Sequence, residues 1–111
     1  MIPSREERIS AIFKSYREDL PNRMHELESL WQQLKNSWDM PTVVEFDCAC
    51  HAIAGSAPTF DLPEIGEAAR AIEIDIKSIL RGDIAISSAM INTIDVKMNA
   101  LRRALSAMPN E

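Results

Sequence analysis

The sequence predicts an all-α fold: an antiparallel up-down four-helix bundle with an additional N-terminal helix. Three observations carry that expectation. Apolar residues recur at alternating steps of four and three through the long segments, which is the spacing of a buried helical seam. Strand-like alternation persists nowhere. Capping and breaking residues divide the chain into helix-length stretches joined by short turns, and short turns make successive helices antiparallel neighbours.

Ser4 opens the first stretch in a capping box with Glu7. Ile9, Ile12, Phe13, Tyr16 and Leu20 follow as an apolar stripe, so a first helix is expected over 5–19. Pro21 suits the first turn of a new helix. Leu20, Met24, Leu27, Trp31, Leu34 and Trp38 then predict a second helix over 21–36. Asn36-Ser37 and Asp39-Met40-Pro41 mark the turn after it. A third helix, over 42–57, has the seam Phe46, Cys50, Ile53, Ala57 and Phe60. Pro58 lacks an N–H and would clash with the carbonyl of Ala54, so this helix kinks or ends there. Asp61 as N-cap, with Glu64 completing a capping-box-like pair, opens a fourth helix. Its seam is Leu62, Ile65, Ala69, Ile72, Ile76 and Ile79, and Gly82 stops it. Ser87 or Ser88 caps the last helix, whose seam is Ile91, Ile94, Met98, Leu101, Leu105 and Met108, and Pro109 ends it. Residues 1–111 therefore read as one domain, with the first helix as a lid or extension of the other four. A start at Met1 fits a free-standing protein and the N-terminal domain of a longer one equally.

The composition narrows the function. A chain of 111 residues, 46% hydrophobic, can bury one core and is not disordered. A formal charge of −5 argues against a nucleic-acid partner. There is no run of about 18 apolar residues, so no membrane span is expected. The opening Met-Ile-Pro-Ser-Arg-Glu-Glu lacks the apolar core of a signal peptide, and a cytoplasmic location follows by elimination. Cys48 and Cys50 point about 200° apart on a helix and cannot bond to each other. Cys50 falls on the seam, Cys48 off it, and both read as free thiols of a reducing compartment.

His51 is the chemically distinctive residue. It lies one residue past the seam, about 100° round the helix, at the edge of the buried stripe. Ala54 and Gly55 come one turn later on its face. A Gly inside a helix costs roughly 1 kcal/mol relative to Ala, so its place beside an imidazole points to something large approaching the ring. His25 has no such surround; it flanks Met24 beside Glu26 and reads as a solvated boundary residue. Asp47, Cys48 and His51 lie on neighbouring faces, but a zinc site needs three or four protein ligands and no second ligand cluster exists. Neither a metal nor a cofactor is expected. No Gly-x-Ser-x-Gly element is present for nucleophilic hydrolysis.

The stretch from Asp47 to Glu73 resembles the histidine phosphotransfer (HPt) domain of bacterial two-component phosphorelays. That pattern is a helical His, an apolar residue, a small or basic residue, Gly-Ser/Ala, then a second helix ending in Leu/Ile-Glu. The matching residues are His51, Ile53, Gly55, Ser56, Ala57, Phe60, Leu62, Ala69, Ile72 and Glu73. The resemblance implies a carrier without catalytic machinery of its own. His51 would accept a phosphoryl group from a receiver-domain aspartate and pass it to another receiver. A neutral imidazole nitrogen is a good nucleophile toward phosphorus, and an ordinary histidine is largely neutral near pH 7. The implied partners are the receiver domains of a response regulator and of a hybrid sensor kinase, which bring the Mg²⁺ and the aspartate. The chain itself is expected to be a monomer. The implied docking surface comprises Asp47, Cys48, Ala54, Gly55 and Pro58. Many members carry Lys three residues after the His, where this chain has Ala54. Arg70 is expected to replace it, since counting about ten residues either way from the turn at Phe60-Asp61 reaches His51 and Arg70. The alternative is an HPt-shaped helical adaptor that binds a signalling partner without phosphotransfer, a reading that Ala54 favours.

Overall fold

The helices begin where the short polar side chains place them. In a computed structural model, which describes residues 2–109, the Ser4 hydroxyl accepts from the Glu7 N–H at 3.1 Å and Glu7 Oε1 accepts from the Ser4 N–H at 3.4 Å. This capping box opens α1, Arg5–Asn36. Asp39 accepts from the Thr42 N–H at 3.0 Å and opens α2, Met40–Ser56, two residues earlier than the seam alone indicates. A 3₁₀ turn, Ala57–Phe60, follows, then α3, Pro63–Leu80. Ser87, not Ser88, caps α4, Ser88–Ser106, accepting from the Met90 N–H at 3.2 Å. All regular structure among the described residues is helical.

Two expected boundaries are corrected. The separate N-terminal helix does not exist: α1 runs unbroken for 32 residues, with Pro21 inside it. Pro21 is exposed, and the buried residues Tyr16, Leu20, Met24, Leu27, Trp31 and Leu34 continue at helical spacing on both sides of it. Burial of that one seam outweighs the hydrogen bond that Pro21 cannot make, worth about 3 kcal/mol together with its steric clash. Asp61 is not the N-cap of the next helix. Its backbone is left-handed, φ 60°, a conformation that Asp tolerates better than most residues, and it ends the 3₁₀ turn. Leu62 takes the cap position without a side-chain hydrogen bond, buried and donating its N–H to the Ala57 carbonyl at 2.9 Å. Gly82 does stop α3: at φ 80° it donates to the Ile79 carbonyl while Asp83 donates to that of Ser78, the two bonds of a Schellman motif.

At about 1.5 Å per residue α1 is roughly 48 Å long, nearly twice α2. Its middle meets the end of α2, where Tyr16 stacks on Phe60 at 4.2 Å and the Tyr16 hydroxyl lies 2.6 Å from that of Ser56. The turns before Phe13 extend past this point, and Ile9 and Ile12 stay exposed. The other end of α1 closes on α4: Trp31 Nε1 donates to Asp95 at 2.6 Å, Lys35 donates to the same oxygen at 3.2 Å, and Arg102 reaches Glu28. Inside, Trp31 packs on Phe46 of α2 at 5.5 Å, while α2 packs on α3 and α3 on α4. No helix among the described residues is long and apolar enough to cross a membrane.

α3 packs closely on the 3₁₀ turn that follows α2. A Cβ placed on Gly66 would fall 2.8 Å from two ring carbons of Pro58, so α3 comes this close only because residue 66 has no side chain. A Cβ on Gly55 would meet nothing within 4 Å. The two glycines should respond oppositely to alanine in urea unfolding. Gly66→Ala should lose about 1–3 kcal/mol through overpacking, and Gly55→Ala should gain up to about 1 kcal/mol from helix propensity. An unchanged Gly66→Ala would mean that the helices are not in the contact described.

Candidate functional site

Helical spacing brings four polar residues to one place. On α2, Asp47, His51 and Gly55 follow at intervals of four, and on α3 Glu73 and Lys77 do the same. Where these strips meet, His51 Nδ1 lies 2.5 Å from Glu73 Oε2. Lys77 Nζ donates to Asp47 Oδ2 at 3.0 Å and sits 3.6 Å from Glu73 Oε2. The chain of contacts is therefore Asp47, Lys77, Glu73, His51.

Its members differ in exposure. The His51 side chain is 70% exposed and that of Glu73 only 5%. Lys77 is partly exposed, Asp47 is largely turned inward, and Asp47 Oδ1 is buried with no hydrogen-bond partner among the described residues. A carboxylate can only accept hydrogen bonds. With Glu73 in that form, the ring N–H at Nδ1 donates to it, and Nε2 keeps its lone pair on the exposed side of the ring. The carboxylate of Asp47, bonded to the ammonium, raises Lys77 above the ordinary lysine value, and the Asp47 and Glu73 charges act in the same direction against a burial effect that lowers it. Cys50 lies near both acids. Burial pushes its thiol far up, and the two carboxylates push it further, so it stays protonated and unreactive.

The residues expected on a docking surface differ in exposure. Cys48, Gly55 and Pro58 are exposed along α2 and the 3₁₀ turn. Asp47 is engaged with Lys77 and offers little of itself. Ala54 is a correction: it is 2% exposed and belongs to the core. It follows Ile53 and stands four residues after Cys50, so the seam widens to include it, and its carbonyl lies beneath α3 near Gly66. Arg70 is exposed on α3, three residues before Glu73. The residue level with His51 is Glu73, not Arg70. The 3₁₀ turn advances about 2 Å per residue against 1.5 Å in an α-helix, so α3 needs more residues to climb back to the same height.

Sequence reasoning matched Glu73 to the HPt pattern without giving it a chemical role, and did not single out Lys77. The signal for both was present: a Glu directly after the seam residue Ile72, with a Lys one turn later. His25 is exposed on α1. Among the described residues no three His, Cys, Asp or Glu side chains group to hold a metal ion. No family model, curated protein or solved structure matches the chain.

Both cysteines are free, one exposed and one buried. Ellman's reagent should therefore modify Cys48 alone in the folded protein and reach Cys50 only after denaturation. Rapid modification of two thiols under native conditions would contradict the packing beneath His51.

Proposed function

We propose that this chain is a phosphohistidine carrier of the HPt type. Nε2 of His51 attacks the phosphorus of a receiver's aspartyl phosphate. The N–P bond forms, the acyl P–O bond breaks, and the aspartate leaves as a carboxylate. The reverse step delivers the group to a second receiver. The receivers are those of a hybrid sensor kinase and of a response regulator, each bringing its own Mg²⁺. The chain contributes position and charge, which is most of what phosphoryl transfer requires. It works as a cytoplasmic monomer, and its helices run antiparallel, up and down.

The observation that carries this reading is the His51–Glu73 pair. A buried carboxylate at 2.5 Å fixes the ring and holds the proton on Nδ1, which leaves Nε2 as the nucleophile. As Nε2 bonds to phosphorus the ring becomes cationic, and Glu73 lies where it stabilises that charge. Gly55, one turn along and open to solvent, leaves room for the receiver. Cys48 and Pro58 complete the docking face, with Arg70 one turn from Glu73 as a contact for the phosphoryl oxygens. The adaptor reading rested on Ala54. Ala54 is in the core, and Lys77 supplies a cation from the neighbouring helix, so the carrier reading is preferred.

Incubation with phosphorylated receiver domains should leave acid-labile, base-stable phosphate on the protein. His51→Gln should abolish it with the helical circular dichroism unchanged. Gly55→Leu should stay folded yet transfer about 100-fold more slowly, because even ~1 Å of misplacement costs that much. Phosphate on His25, or retained in His51→Gln, would overturn the assignment. A wild-type protein that takes up none would leave the adaptor.

A further inference from the structure

We propose that the free end of α1 is a docking element for an anionic lipid surface, an inference that stands apart from the carrier reading. Phe13 packs edge-on against Phe60, ring centroids 5.2 Å apart, and the turns of α1 before it run on beyond the bundle. Arg5, Arg8, Ile9 and Ile12 stand three or four residues from one another there, so they share one face. Ile9 is 45% exposed, Ile12 57%, and Ile2, just before the helix, 84%. Both arginines are exposed as well. Grouped apolar side chains held open to water mark an interaction surface.

Charge identifies what the surface fits. Through Arg17 the chain carries four basic residues against two acidic ones, a net of +2, which leaves −7 for the remainder of a chain at −5. Glu7 is turned to the Ser4 backbone in the capping box. Glu6 lies on the other side of Ile9, in the wall of a groove of about 520 Å³ that also holds Phe13 and Asp61. Glu18 and Asp19 come about two turns after Ile12, and Asp19 is bonded to Arg23 at 2.9 Å. The isoleucine face of the tip therefore presents only arginines as its charges. Such a helix seats its apolar side chains among lipid headgroups and sets its arginines at the anionic phosphates. From Phe13 back to Arg5 is about 12 Å, more than the Debye length of ~8 Å at physiological salt. The tip can thus touch an anionic surface while the acidic body stays beyond the range of its repulsion. The isoleucines sit on a convex tip, and a fluid headgroup layer needs no groove of matching shape. A second copy laid on this face would set arginines against arginines.

The test is co-sedimentation of the full chain with two kinds of vesicle, phosphatidylcholine alone and phosphatidylcholine mixed equally with phosphatidylglycerol. At about 50 mM salt the protein should sediment with the mixed vesicles and stay in solution with the neutral ones, and at about 0.5 M salt it should be released. Arg5→Ala and Arg8→Ala should each weaken binding about 5-fold. Ile9→Ser combined with Ile12→Ser should abolish it, with the helical circular dichroism unaltered because both side chains are exposed. Arg103→Ala, which removes an exposed cation of α4, should bind as wild type does. The inference is overturned if anionic vesicles leave the protein in solution at low salt, if both lipids bind it equally, or if the double isoleucine variant or Arg103→Ala breaks this pattern. A lipid-free dimer in the ultracentrifuge that the two serine replacements dissolve would also overturn it, by giving the face to a second copy.

Discussion

A carboxylate buried under an exposed imidazole is the constraint on which the rest of this structure depends. Glu73 is a charged residue at a position that the α3 seam would otherwise fill with an apolar side chain. Such a group stays in a core only when its partners are in place. The partners arrive from three directions: His51 across the helix contact, Lys77 one turn on, and Asp47 behind the lysine. Orientation of the ring is thereby coupled to the packing of α2 against α3.

That packing is set at the turn. Pro58 and Gly66 interlock, the left-handed Asp61 reverses the chain, and the 3₁₀ segment decides which residues end up level. His51 then meets Glu73, and Asp47 meets Lys77. A shift of one helical turn at Pro58 would face His51 with Lys77 or Ala69 instead, and the site would be lost. The turn thus sets which residues of α2 and α3 meet.

Much of this was legible in the sequence because it depends on local rules. The seams of α2, α3 and α4, the caps at Ser4 and Ser87, and the stop at Gly82 need only helical spacing and short-range hydrogen bonds. His51 and Gly55 stood out for the same reason. The errors arose where a tertiary contact overrides a local preference. Pro21 reads as a helix start, yet a seam continuous across it keeps α1 whole. Asp61 reads as a cap, yet the reversal uses its backbone. Ala54 reads as surface by its spacing from His51, but it lies under the neighbouring helix. Glu73 and Lys77 acquire meaning only when a second helix is placed in register, and that register depends on the pitch of four residues in a turn.

The central claim is that Glu73 holds Nδ1 and leaves Nε2 of His51 to carry the phosphoryl group. The site of attachment within the ring tests it most directly. After transfer from a receiver, ³¹P and ¹⁵N NMR of the labelled protein should place phosphorus on Nε2 of His51, with the Nδ1 proton retained. Phosphorus bonded to Nδ1 would contradict the account, because that nitrogen could not be bonded to Glu73 and phosphorylated at once.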